Sequence, residues 1–386
     1  MNSQQISRRT FIKNTVITST ALEIVGRSSL SLAQTNALNP NPLPRWRGFN
    51  LLDYFLARPY APHTTSEDDL RWIVDWGFDF VRLPMAYPRY LDIDRSRPIS
   101  PADACKINDR EVDRIEKLAR KVVDHGLHVS VNLHRAPGYC INAGFDEPFD
   151  LWKSKEAQDA FAFHWGMWAK RFKDVPASKI SFDLLNEPAV RPDLNDQHAK
   201  TSPVPGDVYR TVAKVATDAI RAVTPDRTVI ADGNNVGYLV TPELKEVNVA
   251  QSCRGYYPHY ISHYKAPWAN KDPEKCPEPT WPGAANGERF DRTRLEKFYQ
   301  PWIDLVKSGV GVHCGECGCW NKTPHPVFLA WFRDVLEILT ANKIGYALWN
   351  FRGDFGILDS GREDVDYQDW HGHKLDGKLL SLLKKN

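Results

Sequence analysis

The chain has 386 residues, 42% of them hydrophobic and 25% charged, which is the balance of a soluble globular protein and leaves room for one large domain or two ordinary ones. A mean hydropathy of −0.47, with no run of 18 apolar residues, argues against a membrane-spanning helix. The formal charge of +2 is concentrated at the N-terminus: Arg8, Arg9, Lys13 and Arg27 against Glu23 give the first 34 residues a surplus of three, so the remainder stands near −1. A near-neutral body has no electrostatic footprint for nucleic acid or an anionic membrane surface.

In chain order, residues 1–34 read as an export signal. Ser7-Arg8-Arg9-Thr10-Phe11-Ile12-Lys13 matches a twin-arginine motif, and the moderately apolar stretch from Thr15 to Leu32 follows it. Glu23 and Arg27 interrupt that stretch, which leaves the cleavage position open. The expectation is an exported protein, periplasmic or extracellular, with residues 35–44 as a short extended linker. All seven cysteines lie downstream of the leader: Cys105, Cys140, Cys253, Cys276, Cys314, Cys317 and Cys319. An odd count leaves at least one thiol free, and Cys105 with Cys140 is one plausible bridge in an oxidising compartment.

From Arg45 to the C-terminus, short apolar runs alternate with longer amphipathic ones. The strand-length runs are Trp46–Leu51, Phe78–Pro84, Leu127–His134, Ile180–Glu187, Thr228–Asp232, Val249–Tyr256, Val310–Glu316 and Tyr346–Asn350. Helical patterns fall at 66–77, 109–126, 157–174, 206–223, weakly at 241–247, and at 292–309 and 325–343. Capping residues at Thr65-Ser66 and glycines at Gly77, Gly126 and Gly309 mark helix ends. Eight strands with intervening helices predict an α/β fold, a (β/α)8 barrel forming a single domain over 45–386. The competing doubly wound sheet lacks its usual glycine-rich turn, since Asn50-Leu51-Leu52-Asp53 follows the first strand. The longest irregular stretch, 264–291, carries Trp268 and Trp281 and reads as a loop able to wall off part of a cleft, favouring exo-action or a short substrate.

In such a barrel the C-terminal strand ends converge on one mouth. Those ends carry Arg82, His134, Asn186 with Glu187, Tyr256, Glu316 and Trp349. Residues two apart share a strand face, so Phe78, Phe80 and Arg82 are expected to point together, as are Val312, Cys314 and Glu316. Asn186 and Glu187 reach the same site only if their strand bends at its end. Two carboxylates from opposite sides of a barrel suit glycosidic hydrolysis, with one protonating the leaving oxygen and the other attacking the anomeric carbon. A zinc site from His313, Cys314, Cys317 and Cys319 is the weaker alternative: parity is expected to turn Cys314 inward and His313 outward, and no second Cys-x-x-Cys exists.

Arg82-Leu-Pro, Leu133-His-Arg-Ala-Pro-Gly, Leu185-Asn-Glu-Pro, Gly315-Glu-Cys-Gly and Trp349-Asn-Phe-Arg-Gly together resemble glycoside hydrolase family 5 over roughly residues 45–380. The resemblance implies a retaining glycosidase with Glu187 as acid/base and Glu316 as nucleophile. It also implies Arg82 and Tyr256 against the nucleophile, and Asn186, His134 and Trp349 on the sugar. One position departs from the family pattern. Arg254, in Arg254-Gly255-Tyr256, stands where His-x-Tyr is usual, so either His259 or His263 compensates or the local charge differs. The implied substrate is a β-linked glycan, β-glucan ahead of β-mannan, or the target of an exo-acting β-glycosidase. A barrel that binds sugar without catalysis would lack a carboxylate, and both are present. No cofactor or metal is implied, and the expected enzyme is a monomer acting alone.

Overall fold

A computed structural model describes residues 41–57, 64–94, 96–143 and 147–386. The leader expected at 1–34 and the first part of the expected linker lie outside them. Eight strands form the centre: β1 (Arg47–Asn50), β2 (Phe80–Ala86), β3 (His128–Ala136), β4 (Ile180–Asp183), β5 (Val229–Asp232), β6 (Ala250–Gly255), β7 (Val312–Cys317) and β8 (Gly345–Leu348). Every neighbouring pair is parallel, from β1 against β8 round to β2 against β3, so the sheet closes on itself. The predicted (β/α)8 barrel is the fold.

Helices α1 (Glu67–Asp75), α2 (Asp109–Asp124), α3 (Lys155–Arg171), α4 (Gly206–Arg221), α5 (Arg292–Lys307), α6 (His325–Ala341) and α7 (Gly377–Lys385) surround it. The segment after β5, the weakest helical pattern in the sequence, forms only a 3-10 turn at Pro242–Val247. α7 was not anticipated. The capping signals act as read: the Ser66 hydroxyl accepts from the Asp69 amide while the Asp69 carboxylate accepts from the Ser66 amide. Gly77, Gly126 and Gly309 each adopt φ of 84–86° directly after a helix, a conformation that costs a residue with Cβ.

Strand alternation divides the interior into two regions. Outward side chains such as Val81, Leu83, Val129, Val131 and Phe182 pack under the helices with Trp165, Trp168, Trp302 and Trp331, all fully buried. Each buried aliphatic there contributes about 1.5–3 kcal/mol. With Trp72 and Trp76, six of the thirteen tryptophans thus serve this core. Inward side chains at the N-terminal end form a floor of Leu43, Trp46, Phe80, Ile230, Ala250 and Ala347. Trp46 stacks on His128 with centroids 3.8 Å apart, and Phe80 lies 4.6 Å from His313.

The floor is sealed from below by residues 41–44, the end of the expected linker. They are docked rather than free: Asn41 Nδ2 donates to the Val312 carbonyl at 2.6 Å, and the Val312 amide donates back to Asn41 Oδ1 at 3.1 Å. All seven cysteines are free thiols, so the plausible Cys105–Cys140 bridge does not form. Cys140 belongs to a two-residue strand folded back on the end of β3, whereas Cys105 packs against the hydrophobic core beside α2.

Candidate active site

Above the floor the barrel changes character. Arg82, third residue of β2, points inward and is 1% exposed. Its Nε donates to Asp183 Oδ2 at 2.7 Å, its Nη1 to Glu316 Oε1 at 2.7 Å and Asn50 Oδ1 at 3.1 Å, and its Nη2 to Asn186 Oδ1 at 3.0 Å. A buried guanidinium needs such saturation, because an unpaired charge there costs several kcal/mol.

Arg254 on β6 forms a second node. Its Nε donates to Glu187 Oε1 at 3.0 Å, its Nη1 to Asp232 Oδ1 at 3.0 Å and Ser252 Oγ at 3.2 Å. Its Nη2 reaches Asn186 Oδ1 at 2.8 Å, Asp232 Oδ2, and Glu316 Oε1 at 3.3 Å. One guanidinium therefore bridges both glutamates. His259 and His263, the other candidates for this role, sit on the pocket wall, packed on Tyr238 and Tyr256.

Glu187 reaches the mouth by a bend. The β4 ladder ends at Asp183, Asn186 stays tied to β3 by its amide, and Glu187 takes φ +48° before Pro188. The left-handed turn brings the consecutive side chains of Asn186 and Glu187 to one place. It is held by the Glu187 amide donating to Asp232 Oδ2 at 2.9 Å and by Tyr139 Oη donating to the Glu187 carbonyl.

Glu316 arrives by a different route from the one strand parity predicts. Cys314 packs outward in the helix-facing core, and His313, expected outward, joins the aromatic floor inside the barrel. The register of β7 against β6 shifts between Cys314 and Glu316, so Gly315 is an extra residue that turns Glu316 inward. A Cβ on Gly315 would lie 2.6 Å from Ser252 Oγ, so the bulge requires glycine. Tyr256 Oη donates to Glu316 Oε2 at 3.2 Å. Ordinary strand alternation places His313 and Cys314 on opposite faces. Among the described residues no group of three or more His, Cys, Asp or Glu side chains is placed to hold a metal ion.

The two glutamates open into a pocket of about 830 Å3. His134 and Trp349 stack on one wall with centroids 5.6 Å apart, and Phe55 meets both edge-on. Trp268 lines the same pocket, against Trp320 at 4.6 Å and Phe355 at 6.3 Å. Trp281 does not join it; its indole N–H donates to Asp334 on α6, and the stretch that carries it continues into a hairpin of 283–285 and 288–290. Half of the expected loop wall is therefore present.

Burial, then the neighbouring Glu316 charge, pushes the Glu187 carboxyl up to about 7, against the pull of Arg254. Burial and the Asp232 charge likewise raise Asp183. Burial and the two guanidiniums hold His134 neutral.

All seven anticipated residues, Arg82, His134, Asn186, Glu187, Tyr256, Glu316 and Trp349, meet at this mouth. Asn50, Asp183, Asp232 and Ser252 were not anticipated. The signal for the two aspartates was present: an acidic residue ending an otherwise apolar strand, as in Val229-Ile-Ala-Asp232, must be paired once the strand is buried.

The model of the cellulase family, glycosyl hydrolase family 5, matches residues 36–354. Endoglucanase C of Acetivibrio thermocellus is 25% identical over 330 residues, 78% of this chain and 89% of its own length. Cellodextrinase A of Ruminococcus flavefaciens is 25% identical over 304 residues, 75% of this chain and 79% of its own. A crystal structure described as a glycoside hydrolase superposes with a TM-score of 0.79 at 34% identity, covering 88% of this chain and 99% of that one.

Proposed function

The chain belongs to glycosyl hydrolase family 5, and from that premise we propose that it cleaves β-1,4-linked glucan with retention, using Glu187 as acid/base and Glu316 as nucleophile. The observation that carries the assignment is the placement of both carboxylates on one guanidinium at the pocket floor. In the first step protonated Glu187 gives its proton to the glycosidic oxygen while Glu316 attacks the anomeric carbon. In the second, Glu187 takes a proton from water, which displaces Glu316 and releases the sugar with its configuration kept.

The surrounding residues fit those tasks. Arg82 and Tyr256 each bind a different oxygen of Glu316, fixing the plane of the carboxylate that attacks. Asn186 Oδ1 accepts from both arginines, which commits its amide orientation, so Nδ2 is left to donate to a sugar hydroxyl. Trp349, stacked on His134, offers an indole face to a pyranose ring.

Relatives described as endoglucanases and a cellodextrinase favour glucan. The Trp268–Trp320–Phe355 wall favours short chains on that side of the cleft. Product sizing on soluble β-glucan, xyloglucan and β-mannan tests the substrate, with β-glucan expected to be turned over fastest. Replacing Glu187 by Ala is expected to cut kcat/KM on unactivated glycosides by about 10²–10⁴-fold. Azide should restore turnover of an activated glycoside and yield a β-glycosyl azide; the α-anomer would overturn retention. We also infer export through the twin-arginine motif at Arg8-Arg9. N-terminal sequencing of the secreted protein tests it, and a chain beginning at Met1 outside the cytoplasm would refute cleavage.

A further inference from the structure

We propose that Arg254 and Asp232 form a clamp that positions Glu187 for proton transfer, gripping its main chain and its carboxylate at once. The proposal rests on the acid/base reading of Glu187. Asp232 Oδ2 accepts from the Glu187 amide at 2.9 Å, and Arg254 Nε donates to Glu187 Oε1 at 3.0 Å. The two clamp residues are bound to each other through both carboxylate oxygens, Arg254 Nη1 on Oδ1 at 3.0 Å and Nη2 on Oδ2. Both are fully buried. A left-handed φ at a glutamate is strained, and it persists only where the surroundings hold it. Here a carboxylate holds the backbone end of the turn and a guanidinium holds the side-chain end.

The chain has made room for this side chain. Asn235, Val236 and Gly237 take φ of 47°, 59° and 79° in succession, a costly conformation for a β-branched valine. The turn passes directly over Arg254, and a Cβ on Gly237 would lie 2.3 Å from Arg254 Cγ. The Val236 amide bonds to the Pro188 carbonyl, so the same turn also touches the segment that follows Glu187. A strained loop, a glycine without alternative and a buried aspartate all serve one arginine, which is more than a bystander would need.

The charge of Arg254 matters as well as its reach. The groups facing Glu187 are Glu316 from β7, Asp232 from β5 and Arg254 from β6, with the phenols of Tyr139, Tyr238 and Tyr256 around them. Burial and two carboxylates favour the protonated form, and Arg254 is the cation in contact that opposes them. Without it Glu187 would hold its proton too tightly to give it up efficiently.

The experiment compares Arg254→Met, Arg254→Lys and Gly237→Ala, reading kcat/KM against pH for an unactivated oligosaccharide and for a dinitrophenyl glycoside whose departure needs no acid. Arg254→Met is expected to lose about 100-fold on the oligosaccharide and under tenfold on the activated substrate. Its alkaline limb should move up by about one pH unit, since a cation has been removed from beside the acid. Arg254→Lys should keep the limb in place while losing oligosaccharide turnover, because the charge remains and the fork does not. Gly237→Ala, which displaces the arginine stem without touching either glutamate, should follow the Met variant in direction with a smaller loss. Equal losses on both substrates with an unmoved limb in the folded variants would overturn the clamp, leaving Arg254 as a support for Glu316. Azide rescue of Glu187→Ala is independent of Arg254, so its success would keep the acid/base assignment even if the clamp failed.

Discussion

The floor and the mouth of this barrel are built from the same strands, one layer apart, and both bury strand side chains, though Glu187 at the mouth keeps 18% of its side chain exposed to the pocket. The floor answers burial with neutral rings: Trp46, Phe80, His128 and His313 stack on one another, and the His128 ring is satisfied by the Ser178 carbonyl and the Ser181 hydroxyl. The mouth answers it with opposed charges: Arg82 and Arg254 against Asp183, Asp232, Glu187 and Glu316. The first arrangement stabilises the fold and does little else. The second holds ions in place at a desolvation cost that only full pairing offsets, and it keeps two carboxylates ready to react.

The sharpest way to separate them is Glu316→Ala. It is expected to abolish the nucleophile and reduce kcat by about 10⁴-fold or more, while the melting temperature changes little, because Asp183 and Asp232 still neutralise both guanidiniums. Near-normal turnover in that variant would place the nucleophile elsewhere. The converse substitution is Phe80→Ala in the floor. A cavity there should cost about 3–5 kcal/mol in urea unfolding, with kcat per folded molecule within about threefold of the parent enzyme, because no floor ring meets the pocket. A hundredfold loss of kcat would show that floor and mouth are coupled.

A smaller effect follows from protonation, and its sign differs between the two regions. Burial lowers His128 to about 4 and His313 to about 3. Between those values and the ordinary imidazole value near 6.5, the unfolded chain binds more protons than the folded one, so their stabilisation is complete above pH 6.5 and fades on acidification. Glu187 is raised to about 7, so there the folded chain holds the extra proton. Its contribution is complete below pH 4.5 and fades as pH rises through 7. Melting followed from pH 4 to 9 should therefore show Glu187→Gln flattening the alkaline side and His128→Gln flattening the acidic side. The reverse assignment of the two limbs would contradict the comparison.

Most of the floor and most of the mouth could be read in the sequence, for unequal reasons. Strand positions were legible because buried parallel strands are runs of Val, Ile, Leu and Phe closed by glycine or polar residues. The mouth was legible where a polar residue interrupts such a run at its end, as at Arg82, Glu187 and Tyr256. Parity served Phe80 and Arg82; it failed at Phe78, which precedes the strand and packs on Phe49 in the helix-facing core, and at Cys314 and His313, because it counts residues and one is inserted at Gly315. Asp183 and Asp232 went unnoticed, the first inside the expected 180–187 run and the second at an ordinary strand end, because nothing marks them until the guanidinium that needs each is in place. Trp281 was assigned to the cleft from composition alone, and its partner Asp334 lies on a helix 53 residues further along. The Cys105–Cys140 pairing failed for the same reason, since order in the chain carries no distance.

The inserted glycine in β7 has a consequence for how such a barrel can vary. Upstream of it, Val312 and Cys314 face the helices; downstream, Glu316 faces the pocket. The strand changes face partway, so its outer residues can be exchanged to suit α5 and α6 without re-aiming the glutamate. Reactive geometry and shell packing become separately tunable on a single strand. The constraint that remains is on the bulge itself: a side chain at Gly315 would meet Ser252 Oγ at 2.6 Å, so filling the extra position would push Glu316 off its line into the pocket.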